Sequence, residues 1–301
     1  MSTFGETVAG KTRHTVVSCA AIDANRVVGH RNILLITLDS LRYDVARAAL
    51  ATSRTPNLAR LLPSSGWEPR HAPGTFTWPA HHAIFAGFLP KPAAPGSSAD
   101  RLFKCRPTEG KAISPGTYVV EGSNLVRGLT DVGYRSVCIG GVDYFSSRTP
   151  LGSVFPAMFQ HAYWRPEFNS TEPDSTRHQV RSALDVLADP PESVVPGNEN
   201  PLTFLFMNIS ATHVPHAHYL PESRRNAHGA TDGWDSQLAA LAYADQHLGT
   251  LLDSLPAYGP WLVIACADHG DAFGDDGYLG HGIGHPSVLT VPYTQALLDP
   301  A

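Results

Sequence analysis

The chain alternates two hydrophobic rhythms. Ile33 to Leu38 is a continuous apolar run bounded by polar residues, the pattern of a strand buried on both faces in a parallel sheet. Arg135 to Ile139, Leu202 to Met207 and Trp261 to Cys266 read as further strands. Helical spacing or helix-start signals fall between them: Ser40 to Ala51, a short helix from Thr55-Pro56 through Leu62, Pro79 to Phe85, Asn124 to Val132, and Gln179 to Leu187. The clearest helix runs from about Asp235 to Leu255, with Leu238, Leu241, Leu248, Leu252 and Leu255 on one face. Strands separated by helices predict an α/β fold, a three-layer α/β/α sandwich around a mostly parallel sheet.

Residues 90–116 and 189–201 break the rhythm. Both are rich in small residues and proline and read as long loops, the first as a lid or a surface insertion. No repeat or linker divides the chain, so residues 1–29 are expected to be an N-terminal extension and residues 30–301 a single domain.

Composition narrows the function. Of 301 residues, 43% are hydrophobic, enough for one large core, and the net charge of −5 offers no basic footprint for nucleic acid. No apolar stretch is long enough to span a membrane, and Asp23 interrupts the short run at Val16–Ala21, so neither membrane nor signal peptide is expected. Cys19, Cys105, Cys138 and Cys266 are scattered without a CxxC pair, which points to a reducing, cytoplasmic setting. No heptad or repeat suggests a protein partner, and nothing in the sequence assigns an oligomeric state.

The candidate chemistry sits at strand ends, where open parallel sheets bind ligands. The first strand runs into Asp39, the Leu202 strand leads to His213 and His216, and the last runs into Asp268-His269-Gly270-Asp271 and on to His281 and His285. A single Asp at such a place ordinarily forms a turn or cap. Their joint occurrence favours a metal site, and carboxylate with imidazole suits Zn²⁺ or Mn²⁺, as one ion or two. Thr77, two residues before Pro79, falls at a helix start, where the dipole favours an anion. On local sequence alone Thr75 and Thr77 read more simply as helix caps. His218, Asp271 and Asp275 lie near the cluster in sequence, His82 reads as a packed helix residue, and Asp245 and His247 read as surface positions of the long helix. Arg101, Lys104, Arg106, Lys111, Arg148 and Arg165 read as solvated charge.

Asn32–Asp44 (NILLITLDSLRYD), Thr55-Pro56-Asn57-Leu58, Thr77-Trp78-Pro79-Ala80-His81, Thr212-His213-Val214-Pro215-His216, the helix around Tyr243–Gly249 and Ala267-Asp268-His269-Gly270-Asp271 stand in an order that resembles sulfatases and the wider alkaline phosphatase superfamily, over about residues 30–294. The chain looks most like a compact group of sulfatase-like bacterial hydrolases. The resemblance implies that Asp39, Asp268 and His269 hold a metal with Thr77 as nucleophile. It implies that His81 stands where sulfatases carry an active-site arginine. It also implies that His213 and His281 face the substrate or a second ion, as in phosphoethanolamine transferases.

Departures from the sulfatase pattern matter as well. Thr77 cannot become formylglycine, and His269 replaces the usual asparagine of the sulfatase calcium site; both point to phosphate esters. Ile209 stands where two-zinc phosphodiesterases carry an aspartate, so a second ion would need a histidine-rich shell. The short stretch after Val291-Pro292-Tyr293 leads us to expect no C-terminal subdomain and an open site. The expected activity is hydrolysis of a small anionic phosphate ester, a phosphodiester or phosphomonoester, through a phosphothreonine at Thr77. The alternatives are a phosphotransferase or mutase, a sulfate-ester hydrolase, and a non-catalytic metal-binding relative.

Overall fold

A computed structural model of the chain describes residues 16–18, 22–87, 123–189, 201–225 and 231–300. The loop 90–116 with Arg101, Lys104, Arg106 and Lys111, almost all of 189–201, and Cys19 and Cys105 lie outside the described residues. The strands are β1 (Val16–Ser18), β2 (Asn32–Leu38), β3 (Glu68–His71), β4 (Arg135–Ile139), β5 (His161–Tyr163), β6 (Thr203–Ile209), β7 (Trp261–Cys266), β8 (Ala272–Phe273), β9 (Leu279–Gly280) and β10 (Thr290–Leu298). The helices are α1 (Tyr43–Ala51), α2 (Thr77–Ala86), α3 (Leu125–Asp131), α4 (Ser175–Ala188), α5 (Glu222–Arg225), α6 (Trp234–Ser254) and α7 (Pro286–Leu289). Among the described residues no helix is long and apolar enough to cross a membrane.

The main sheet runs β1-β10-β7-β2-β6-β4-β5, with β3 also paired to β10. Its centre, β7-β2-β6-β4-β5, is parallel. On the far side β10 runs antiparallel to β7, β1 and β3. The expected mostly parallel α/β sandwich is what the chain forms. The strands β1, β3, β5 and β10 had no counterpart in the pattern reading: three are only 3 or 4 residues long, and β10 carries Pro292 and Gln295 within its apolar run.

Strand periodicity sorts side chains to the two faces. Leu34, Ile36 and Leu38 of β2 join Leu205, Met207 and Ile209 of β6 and Val263, Ala265 and Ala267 beside them, in the core under α1, α4 and α6. Ile33 and Leu35, with Phe204, Phe206 and Leu262, face the aromatic core under α2 and α3. Leu238, Leu241, Leu248, Leu251, Leu252 and Leu255 bury the α6 stripe. Each contributes roughly 1.5–3 kcal/mol over an exposed position.

Boundaries shift where the backbone has other work. The helix expected from Ser40 begins at Tyr43, because Ser40 takes a left-handed conformation, φ 61°. The segment after Thr55-Pro56 forms only a 3₁₀ turn, Leu58–Leu61. Thr77 is the first residue of α2 rather than the residue before it, with Pro79 in the first turn, where no backbone donor is needed.

Asp245 is a correction. It was expected on the surface but is 1% exposed. Its carboxylate accepts from the N–H of Asn57 and of Leu58 and from the Asn57 amide, so α6 is tied to the Leu58 turn through a satisfied buried charge. His247 is half-buried against Tyr243.

Candidate metal centre and active site

The same periodicity assembles the site. Thr37, Asn208 and Cys266 are neighbours in register across β6-β2-β7. Two residues beyond Thr37 and Cys266, Asp39 and Asp268 emerge on the face covered by α2. Asp39, Asp268 and His269 are all fully buried, and one ligand atom from each lies within 4.8 Å of the others. His269 Nε2 is 3.5 Å from Asp268 Oδ2 and 3.8 Å from Asp39 Oδ1. Thr77 Oγ1 stands 3.5 Å from Asp39 Oδ2 and 3.4 Å from His269 Nε2.

Two glycines make the close approach possible. A side chain at Gly270 would collide with the Ser287 carbonyl oxygen, so the loop after His269 lies directly on α7. At Gly74 it would meet the Ala80 nitrogen at 2.5 Å, which seats the preceding loop on the first turn of α2.

The orientation of each group is set from behind. His269 Nδ1–H donates to the Gly270 carbonyl at 2.8 Å, leaving the Nε2 lone pair toward the carboxylates. Asn208 Nδ2 donates to Asp39 Oδ2 at 3.0 Å, and Thr212 Oγ1 donates to the Asp39 carbonyl at 2.7 Å. Ser40 donates from its hydroxyl to Asp39 Oδ1 at 3.0 Å and from its N–H to Asp268 Oδ1 at 3.2 Å.

Burial would raise the Asp39 carboxyl, but His213, His269 and the Asn208 amide together hold it below the usual range. Asp268 is pushed well above it, by burial and by the negative Asp39. Asp268 Oδ2 accepts no hydrogen bond. Two buried carboxylates side by side, one with an oxygen that accepts no hydrogen bond, are what a divalent cation would neutralise. The residues therefore fit a metal ion, and the donor set of two carboxylates, one imidazole and the Thr77 hydroxyl suits Zn²⁺ or Mn²⁺.

The remaining expected residues divide. His213 and His281 are half-buried at the mouth, with ring centres 5.5 Å apart, and His281 lies 4.6 Å from the His269 ring. Neither belongs to the three-residue metal cluster. His213 Nδ1–H donates to the Val214 carbonyl.

His81 is brought to the site but faces inward. It is fully buried, Nδ1–H donates to the Thr77 carbonyl at 2.9 Å, and Nε2 accepts from the Thr37 hydroxyl at 3.1 Å. Its ring packs among Phe145, Phe155 and Phe206, and burial pushes its pKa down to about 4. Proton donation to a leaving group does not suit this geometry; His81 braces the Thr77 turn instead. His82 is packed in the same core, as expected.

His216 is buried, bonded through Nδ1 to Ser236 Oγ at 2.8 Å, and Asp271 is buried beside His281. Asp275 pairs with Arg42 at 2.6 Å, and this bonding brings its pKa down to about 2. His285 turns to Asp276 and Ser287, away from the cluster. Sequence reasoning overlooked Ser40, Asn208, Thr212 and Gln237. The first and third lie inside the quoted motifs, and the other two are polar residues on buried stripes.

The sequence model of the family described as Sulfatase matches residues 31–293. The chain belongs to the Sulfatase family. Solved structures agree on the fold. The C-terminal periplasmic domain of EptC from Escherichia coli, in complex with Zn, is 15% identical with a TM-score of 0.57. The alignment covers 95% of this chain and 76% of that one. The lipoteichoic acid synthase LtaP from Listeria monocytogenes is 15% identical (TM-score 0.59; 93% and 68% covered). A protein in the alkaline phosphatase superfamily from Vibrio parahaemolyticus is 16% identical (TM-score 0.53; 96% and 64% covered). No curated protein matches in sequence. This sulfatase-family chain thus has the superfamily fold, with its candidate metal cluster at the carboxyl edge of the parallel strands.

Proposed function

We propose that this chain is a metal-dependent phosphoesterase that cleaves a small anionic phosphate ester through a phosphothreonine at Thr77. The observation that carries the reading is the Thr77 hydroxyl, 98% buried with its residue and set within 3.5 Å of both Asp39 and His269 at the first turn of a helix. A hydroxyl used only as a cap would not need two metal-type ligands beside it.

Asp39, Asp268 and His269 would hold the ion, and its positive charge would favour the ionised Thr77 oxygen and offset charge on the phosphoryl group. Thr77 gives its proton to solvent and attacks phosphorus. The Oγ–P bond forms as the ester P–O bond breaks, and the electron pair departs on the ester oxygen. His213 or His281, at the mouth, supplies that oxygen with a proton. Water then adds to phosphorus, the same histidine takes the water proton, the Oγ–P bond breaks, and the Thr77 oxygen regains a proton. The N-terminal end of α2, through the helix dipole, would favour the phosphoryl anion.

An alcohol in place of water would make the same site a phosphotransferase, a reading that the likeness to a lipoteichoic acid synthase supports. Acid quenching during turnover of a phosphodiester, followed by peptide mass spectrometry, tests the proposal. Phosphate on Thr77, absent from Thr77→Ala along with turnover, is the expected result. Full turnover by Thr77→Ala overturns it.

A further inference from the structure

Gln237 lies in the first turn of α6, on the helix stripe shared with Leu241, Ala244, Leu248 and Leu251, and is fully buried. A polar side chain there must find partners or cost stability. Its amide finds three, all backbone groups of the two loops that carry the site. Nε2 donates to the Ser40 carbonyl at 2.9 Å and to the Thr212 carbonyl at 3.1 Å, and Oε1 accepts from the Arg42 N–H at 3.2 Å. Two of the three residues it grips touch the candidate ligands. Ser40 donates to both Asp39 and Asp268, and Thr212 donates to the Asp39 carbonyl. Ser40 does so from φ 61°, a conformation that a residue with a side chain rarely adopts unaided.

We propose that Gln237 is a positioning residue for the metal centre: its amide clamps the Ser40 and Thr212 turns so that Ser40 presents its N–H and hydroxyl to the two carboxylates. It acts from outside the coordination shell and sets how tightly the metal is held. The inference rests on the reading of Asp39, Asp268 and His269 as metal ligands.

A purely structural anchor would look different, and α6 contains one. Asp245, also buried, ties the helix to Asn57 and Leu58 and, among the described residues, makes no hydrogen bond to the metal loops. The two residues can therefore serve as test and control in one helix.

The experiment titrates Zn²⁺ into the metal-free full chain against a chromophoric chelator, and records the visible spectrum of the Co²⁺ form and the thermal midpoint of the metal-free protein. Gln237→Met keeps the volume and removes all three bonds, while Gln237→Glu keeps the acceptor and removes both N–H donors. Both are expected to weaken zinc binding at least about tenfold and to change the Co²⁺ bands. Asp245→Asn is expected to lower the midpoint while zinc affinity stays within about twofold. Ser40→Ala, which removes one hydroxyl at Asp39, is expected to weaken zinc as well. Combined with Gln237→Met it should weaken zinc by less than the product of the two single effects, because both act on the same turn.

Unchanged zinc affinity in both Gln237 variants, with only the midpoint lowered, makes Gln237 an ordinary anchor and overturns the inference alone. Should neither Gln237 variant fold, Ser40→Ala with wild-type zinc affinity overturns it. A wild-type chain that binds no metal overturns both the inference and the metal reading beneath it.

Discussion

Asp39, Asp268 and His269 have no exposed surface, whereas His281, at their mouth, has a side chain 24% exposed. The difference extends to their bonding. The two inner carboxylates are each held by two or more donors, Asp39 by Asn208, Ser40 and Thr212 and Asp268 by the Ser40 and His269 N–H groups, while His269, fully buried, is oriented by the Gly270 carbonyl. The outer histidines are held by less, His213 through Nδ1 to a backbone carbonyl and His281 with Nδ1 in no hydrogen bond, 3.5 Å from Asp271 Oδ1. Dense restraint suits a group that must hold an ion in one place. A single restraint suits a group that must follow a substrate and exchange protons with it.

The comparison breaks most sharply at the inner cluster. Asp268→Asn should lose the metal and at least about a thousandfold of turnover, since ion chemistry accounts for several kcal/mol of such barriers. The same substitution should stabilise the metal-free protein. The folded pKa of Asp268 is raised, so the folded state holds a proton that the unfolded state releases above pH 3.8, and stability is lost as pH rises. Metal-free Asp268→Asn should therefore unfold at higher denaturant than metal-free wild type at pH 7 to 8, with the order reversed when metal is present. Equal midpoints in the metal-free proteins would show that the two carboxylates do not repel as described.

Thr77→Ala should cost on the order of 10³-fold or more in turnover yet keep the metal, as measured by stoichiometry and steady-state kinetics side by side. At the outer ring, His213→Ala or His281→Ala should lower kcat about a hundredfold and leave the metal content of the inner site unchanged. Loss of the metal with either histidine would erase the distinction between the two regions.

The smallest effect concerns stability alone. His82, packed edge-on against Trp78 at 4.6 Å, has its pKa pushed down to about 4 by burial and by His81. The unfolded chain takes up that proton near pH 6.5, so stability falls as the pH drops from about 6.5 to about 4, by roughly 2–3 kcal/mol at most. His82→Leu should flatten this part of the curve in denaturant titrations.

The central strands were legible because burial on both faces leaves an apolar run with little else to mean. β4 and β7 begin and end where that run predicts. The inner ligands were legible because strand ends in parallel sheets gather chemistry and because Asp39, Thr77, Asp268 and His269 stand in a family order. What the pattern hid were the supports. Ser40 was absorbed into a helix because its left-handed backbone leaves no sequence mark in a non-glycine residue. Gln237 and Asp245 sit at helical spacing within leucine stripes, and their polarity alone did not reveal their partners, which include Arg42, 195 residues from Gln237, and Asn57, 188 residues from Asp245. His81 was assigned by its place in a motif, and only packing shows that the imidazole faces the core.

Elemental mass spectrometry of the full chain, purified without chelator or added histidines, beside Asp268→Ala/His269→Ala, tests the central claim most directly. The account predicts near-stoichiometric zinc or manganese in the wild type and none in the double variant. A wild type without metal that takes up none on reconstitution, or a double variant that retains it, would contradict the assignment of Asp39, Asp268 and His269 as the metal centre.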